Sequence, residues 1–281
     1  MTGDHPLRGR IGVVTGAASG FGRALAEECA KAGMSVALLD VDGDRARESA
    51  QWMADTHHVE TMAREVDVGA ARDVDEAAAA VRRQFGGCDL LFANVGVQQF
   101  GAIERLTDDD WTWVLNVNVI GTARTVRSFL PLLRSRSGTR HITMTSSSSA
   151  LVPGMRLGAY QASKAAVLGL GDTLRLELAG EGIGVTVILP AGMATRHLES
   201  SALARPAHLG ESQTLPGDIE IMVGSLSMTD EDFATPEHAA RHVLRDIVAN
   251  EPYVITHGGY RGAFRSRCQD LEQAFDRMER A

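Results

Sequence analysis

The chain has 281 residues, 44% of them hydrophobic, with 36 acidic against 28 basic side chains and a net charge of −8. That is enough apolar sequence for one large domain with a substantial core, and the acidic balance gives no basic surface for a nucleic acid. Three cysteines (Cys29, Cys88 and Cys268) fit neither a disulfide framework nor a metal cluster. No stretch reads as a bilayer span, and the N-terminus lacks the apolar run of a signal peptide. The cytoplasm is the expected compartment.

In chain order, the first predicted strand is Ile11-Gly12-Val13-Val14-Thr15, rich in β-branched residues. The glycine-rich turn Gly16-Ala17-Ala18-Ser19-Gly20-Phe21-Gly22 follows, then a helical run from Arg23 to Ala30. Strand, glycine turn and helix in that order are the context of a dinucleotide site. Glycines let the backbone turn tightly and approach a pyrophosphate, and the helix N-terminus offers free N–H groups to it. Thr15, Gly16, Ser19, Gly20, Phe21 and Gly22 are the candidate residues of this site.

The second strand, 35–40, ends in Asp40, twenty residues after Gly20, where a carboxylate can accept hydrogen bonds from the adenosine ribose. The same carboxylate repels a 2′-phosphate. Like charges about 4 Å apart cost up to roughly 4 kcal/mol at an effective dielectric near 20. Half of that exceeds a tenfold preference, so NAD(H) is expected over NADP(H). Further elements are expected as a helix at 43–56, a strand at 60–66, a helix at 73–85, a strand at 89–93 and a long helix at 108–134. They continue with a strand at 141–145, a helix at 158–180, a strand at 184–189, a helix at 236–249 and a strand at 253–256. This alternation predicts a doubly wound α/β fold, a parallel β-sheet of Rossmann type with helices on both faces, in a single domain. Binding is expected at the carboxyl ends of its strands.

Tyr160 and Lys164 are four residues apart in the predicted helix, so they share one face. A free Tyr titrates near ~10, and a neighbouring cation favours its phenolate. Such a pair suits proton transfer at a carbonyl or an alcohol.

With these residues in place the chain resembles the short-chain dehydrogenase/reductase family, in its compact single-domain branch. Thr15-Gly16-x-x-x-Gly20-x-Gly22 is similar to its T-G-x-x-x-G-x-G, and Asn94-Val95-Gly96 to its N-A-G. Asp67 and Val68 follow the third strand, where the family contacts the adenine. Asn118 matches the helix Asn of the catalytic tetrad, and Ser147 lies thirteen residues before Tyr160, the family's usual spacing. Pro190-Ala191-Gly192-Met193-Ala194-Thr195 resembles the P-G-x-x-x-T segment near the nicotinamide, with Ala191 where Gly is usual. The resemblance implies a general acid or base at Tyr160, and a Lys164 that lowers its pKa and binds the nicotinamide ribose. It implies a Ser147 that steadies the substrate oxygen and an Asn118 that holds a relay water. Asn94, Gly96, Pro190, Gly192, Met193 and Thr195 would line the cofactor. Ser146, Ser148 and Ser149 flank Ser147, so an offset of one at the strand end is an open alternative.

The expected reaction interconverts a secondary alcohol and a ketone without a metal. A different chemistry on the same scaffold, an NADP-dependent 3-oxoacyl or ketone reductase and a non-catalytic dinucleotide sensor are the alternatives. Residues 196–232 form a long connection with interleaved apolar residues, read as a lid over a partly hydrophobic substrate pocket, with Gln98, Gln99 and Met193 near its rim. His57, His58, His197 and His208 lack metal-like spacing and read as surface or loop residues. In the tail, 258–281, Phe264, Cys268, Leu271, Phe275 and Met278 form one helical stripe. It would pack on its own core or on a neighbouring subunit. The family's habit implies a dimer or tetramer.

Overall fold

The computed structural model describes residues 5–193, 195, 197–212, 214–226 and 233–280. Strands β1 (Ile11–Thr15), β2 (Ser35–Asp40), β3 (Thr61–Glu65), β4 (Leu90–Ala93), β5 (His141–Thr145), β6 (Gly184–Ile188) and β7 (Tyr253–Val254) form one sheet. All pair in parallel, in the order β3-β2-β1-β4-β5-β6-β7. The chain moves outward from β1 to β3, then crosses back to β4 beside β1. This reversal opens a crevice at the carboxyl ends of β1 and β4, the place where such sheets bind ligands.

Alternate residues of the central strands serve two cores. Val13, Ala37, Leu39, Leu91 and Ala93 pack under α3 (Ala71–Phe85), α5 (Gly121–Arg134) and α6 (Gly158–Leu178). Val14, Val36, Leu38, Leu90 and Phe92 pack under α1 (Gly20–Lys31), α2 (Gly43–His57), α9 (Pro236–Ala240) and α10 (Val243–Val248). A strand buried on both faces cannot spare polar residues, which is why β1, β2 and β4 read as continuous apolar runs. The doubly wound single domain expected from the alternation is what the structure shows.

Three elements differ from expectation. The helix expected over 108–134 is α4 (Asp108–Leu115), a π-helical turn over Asn116–Ile120, and then α5. A π turn inserts one residue into the ladder and re-aims side chains, commonly at functional sites; here it carries Asn118. The helix expected over 236–249 breaks at His242 (φ −107°, ψ −2°) into α9 and α10. The last strand holds only Tyr253 and Val254.

The lid segment folds as α7 (His197–Leu203) and α8 (Pro216–Ser225), with residues 196, 213 and 227–232 outside the described residues. The tail is one helix, α11 (Arg261–Glu279), which buries none of its residues, so its apolar stripe does not pack on its own core. Among the described residues no helix is long and apolar enough to cross a membrane.

Candidate active site

The turn after β1 is built so that only glycine fits. Gly16 has φ +69°, in the left-handed region, and a Cβ at Gly22 would lie 1.9 Å from the Gly16 carbonyl oxygen. The close approach presses the first turn of α1 onto the loop. Ser19 makes no side-chain cap there, so the orphan N–H groups of that turn face the crevice without a protein substitute. Phe21 is buried beneath the turn. Thr195 closes over it: a Cβ at Gly20 would come within 3.6 Å of Thr195 Cγ2.

The Asp40 carboxylate accepts hydrogen bonds from Ala18 N–H (2.9 Å) and Asp42 N–H (3.0 Å). It thereby ties the glycine loop to the end of β2. Burial pushes its carboxyl upward, and the backbone donors pull it back. Thr15 Oγ1 donates to Phe92 O (3.2 Å) and accepts from Asn94 N–H (3.0 Å), joining the ends of β1 and β4. Asn94 is held on both sides, donating to Thr15 O (3.2 Å) and accepting from Thr145 Oγ1 (2.9 Å). Asp67 accepts Gly69 N–H at 2.7 Å, and Val68 packs against Gly121, where a Cβ would come within 2.8 Å of it. A glycine cradle, an uncapped helix N-terminus and an acidic residue at the end of β2 together fit a dinucleotide.

Lys164 and Tyr160 share a face of α6. Lys164 is 3% exposed; its ammonium donates to Thr145 O at 3.0 Å and lies 5.7 Å from the Tyr160 ring centroid. Burial pulls its pKa down to about 8. Burial pushes the Tyr160 phenol up, and a hydrogen bond with the Ser147 side chain pulls it back. Of the four consecutive serines, Ser147 is therefore the one whose side chain meets Tyr160. Ser146 is buried and donates to Lys164 O (2.7 Å), and Ser149 N–H donates back to Ser147 Oγ (3.2 Å). Asn118, brought inward by the π turn, accepts from Val97 N–H (2.8 Å) and donates to Val97 O (2.8 Å) and Ser163 Oγ (2.9 Å). Gly96 lies between them: a Cβ there would stand 2.9 Å from Lys164 Nζ and 3.6 Å from Asn118 Oδ1.

The segment after β6 crosses the same crevice. Pro190 O accepts Ser148 N–H (2.8 Å), and Met193 pairs with Ala234 in a parallel bridge. Gly192 O is bonded to His257 Nε2 (2.7 Å) and Ala234 N–H (3.2 Å). Tyr260 Oη donates to Leu189 O at 3.0 Å. His257 and Tyr260 thus brace the segment after β6. Ala191, where the family has Gly, fits because a Cβ at residue 258 would meet the Ala191 methyl at 2.6 Å and Gly258 has none.

Sequence reasoning missed several neighbours. His197 is not a surface or loop residue: it opens α7 with its ring 6.4 Å from that of Tyr160, centroid to centroid. Phe100 meets Tyr160 edge to face at 6.2 Å. Gln99 is buried rather than on the rim, bonded to Ser212, Thr214 and Arg205 of the lid segment. The lid is further fixed by Arg205 to buried Asp110 (2.7 Å), and by Arg105 and Arg156 to Asp218. No motif spacing links such distant partners. Among the described residues no cluster of His, Cys, Asp or Glu is placed to hold a metal ion.

Fold and crevice define a dinucleotide-binding oxidoreductase of the Rossmann type. Residues 10–205 match the short chain dehydrogenase family model, and the chain belongs to the short-chain dehydrogenase/reductase family. A family member from Burkholderia phymatum, solved in complex with NAD, is similar with a TM-score of 0.87 and 30% identity over 95% of this chain and 96% of that one. The L-sorbose reductase of Gluconobacter frateurii, complexed with NADPH and L-sorbose, reaches a TM-score of 0.78 at 28% identity, covering 92% and 98%. A C alpha-dehydrogenase of a Sphingobium species is 29% identical over 277 residues, 96% of this chain and 88% of that protein. The protein is accordingly an NAD(P)-dependent oxidoreductase acting on CH–OH donors.

Proposed function

We propose that the protein interconverts a secondary alcohol and a ketone, prefers NAD(H) to NADP(H), and uses Tyr160 as its general acid and base. The observation that carries this reading is the meeting of Ser147, Tyr160, Lys164 and Asn118 at the mouth of the glycine cradle. The nicotinamide, when bound, exchanges a hydride with the substrate carbon. In the oxidising direction Tyr160 Oη takes the proton of the substrate hydroxyl, and in reduction it returns it. Ser147 Oγ hydrogen-bonds the same oxygen and steadies the charge that develops on it. The Lys164 ammonium favours the phenolate of Tyr160 and would bind the nicotinamide ribose. Asn118, fixed to the Val97 backbone, orders the proton path from Lys164 outward.

Support for NAD comes from Asp40, whose carboxylate keeps its remaining lone pairs for ribose hydroxyls and opposes a 2′-phosphate. Similar proteins bind either cofactor, so family membership alone does not make the choice. Assays of purified protein on secondary alcohols with NAD and NADP in parallel test this. We expect kcat/KM at least about tenfold higher with NAD, a ratio that falls in Asp40→Ala. Equal efficiency with both cofactors overturns the preference. Tight cofactor binding without turnover on any alcohol or ketone favours the sensor reading.

The same reading includes a homo-oligomer and a cytoplasmic location. The exposed stripe of Phe264, Leu271, Phe275 and Met278 along α11 supports assembly. The three free cysteines are in keeping with a reducing compartment.

A further inference from the structure

We propose that His197 is a substrate-contacting residue that selects alcohols carrying a second oxygen on the carbon beside the carbinol. The inference rests on the reaction proposed above and goes beyond it to the substrate class. Three observations carry it. The first is position: α7 begins at His197, whose N–H bonds Thr195 Oγ1 (3.3 Å). The ring is thereby set on the lid side of Tyr160, 6.4 Å away and inclined at 61°.

The second is hydrogen-bonding capacity. Among the described residues neither ring nitrogen of His197 has a protein partner, whereas His257 spends both of its nitrogens, and His141 its Nε2, inside the fold. A half-buried side chain beside Tyr160 with one donor and one acceptor to spare is matched by a ligand group that can pair with either nitrogen. A hydroxyl can pair with either, and an ether or carbonyl oxygen can accept from the nitrogen that carries the proton. The third is charge. Burial, with the Lys164 ammonium nearby, pulls His197 down to about 4, so the imidazole is neutral at physiological pH. It then presents a hydrogen bond without competing with Lys164 for the phenolate of Tyr160.

The remaining walls set the rest of the substrate. Phe100, 4% exposed, stands edge-on to Tyr160 at 6.2 Å. A molecule whose carbinol meets Tyr160 and Ser147 is thus flanked by an apolar aromatic edge and by a polar ring. A plain hydrocarbon neighbour to the carbinol displaces water from the imidazole without replacing its hydrogen bonds, which is costly. Sites built to bond a substrate hydroxyl reject the analogue lacking it far more strongly than apolar pockets reject a missing methylene.

The test compares α-methylbenzyl alcohol with styrene glycol, which differ by one hydroxyl on the carbon next to the carbinol. NAD is the co-substrate, and each enzyme sample is assayed with both alcohols. The ratio of the two kcat/KM values does not depend on how much of the sample is folded, so a partly misfolded variant still reports. Wild-type enzyme should favour the glycol by about tenfold or more. In His197→Phe, which keeps a ring beside Tyr160 and loses both nitrogens, that ratio should fall to about one. In His197→Asn, which keeps a donor and an acceptor, it should be intermediate. A ratio unchanged in His197→Phe, or no preference in the wild type, overturns the assignment and leaves the reaction class standing. A wild type that turns over neither alcohol yet oxidises other secondary alcohols overturns it too. Failure on every alcohol and ketone overturns the reaction class together with this inference.

Discussion

At Lys164 one side chain joins function to stability. Its ammonium is buried and donates to Thr145 O, and its pKa falls from 10.5 to about 8 on folding. Between those values the unfolded chain binds the extra proton, so stability rises with pH across the window; below pH 8 both states are charged and the cost is complete. The whole effect amounts to about 3 kcal/mol. Cofactor-free Lys164→Met lacks it. Urea unfolding from pH 7.5 to 10.5 should show the wild type gaining stability relative to the variant by that order. A constant difference across the range would mean that Lys164 is not charged and desolvated in the folded state. The pairing of this lysine with Tyr160 was legible in the sequence because four residues of helix fix it. That Ser147, and not Ser146, meets Tyr160 required the strand end: Ser146 turns back to bond Lys164 O.

At the scale of elements, the π turn and the lid show what periodicity cannot express. The apolar pattern of 108–134 is that of one helix. The added residue at Asn116–Ile120 is set by tertiary demands: Asn118 pairs with the Val97 backbone, and Gly121 admits Val68. The long apolar connection over 196–232 was legible, yet its fastening was not, because Asp110, Gln99 and Arg105 lie some hundred residues before their partners. Arg205 is 5% exposed and its partner Asp110 is fully buried. Removing one member of such a pair strands a charge, at a cost of about 3–5 kcal/mol. Arg205 also lies 5.4 Å over the Trp113 ring. We therefore expect Arg205→Met to free the lid locally, with faster proteolytic cleavage between α7 and α8 and a Michaelis constant raised about tenfold or more. Unchanged cleavage and unchanged KM would show that other contacts hold the lid.

For the whole molecule, the alternation of strands and helices was sufficient to predict the sheet, since apolar runs bounded by turns leave few topologies open. The glycine cradle was equally legible, because a Cβ at Gly22 has no room whatever the rest of the chain does. The tail was half legible: its stripe predicted a helix, and only the structure shows that the helix leaves the body with that stripe uncovered. Arg267, donating to Leu151 O at 2.9 Å, pins its first turns beside the turn after β5 that begins at Ser147. Deleting the residues after Gly262 should lower the assembly state seen by light scattering, and equal mass per particle in both forms would remove the interface assigned to α11.

The central claim is that Tyr160 moves the proton. It is tested most directly by comparing Tyr160→Phe with wild type in a single turnover of bound NADH against a ketone, with NADH affinity measured on the same samples. The account predicts a rate lower by about a hundredfold to ten-thousandfold, with NADH affinity nearly unchanged. A variant that reduces the ketone at the wild-type rate would place the proton elsewhere and contradict it.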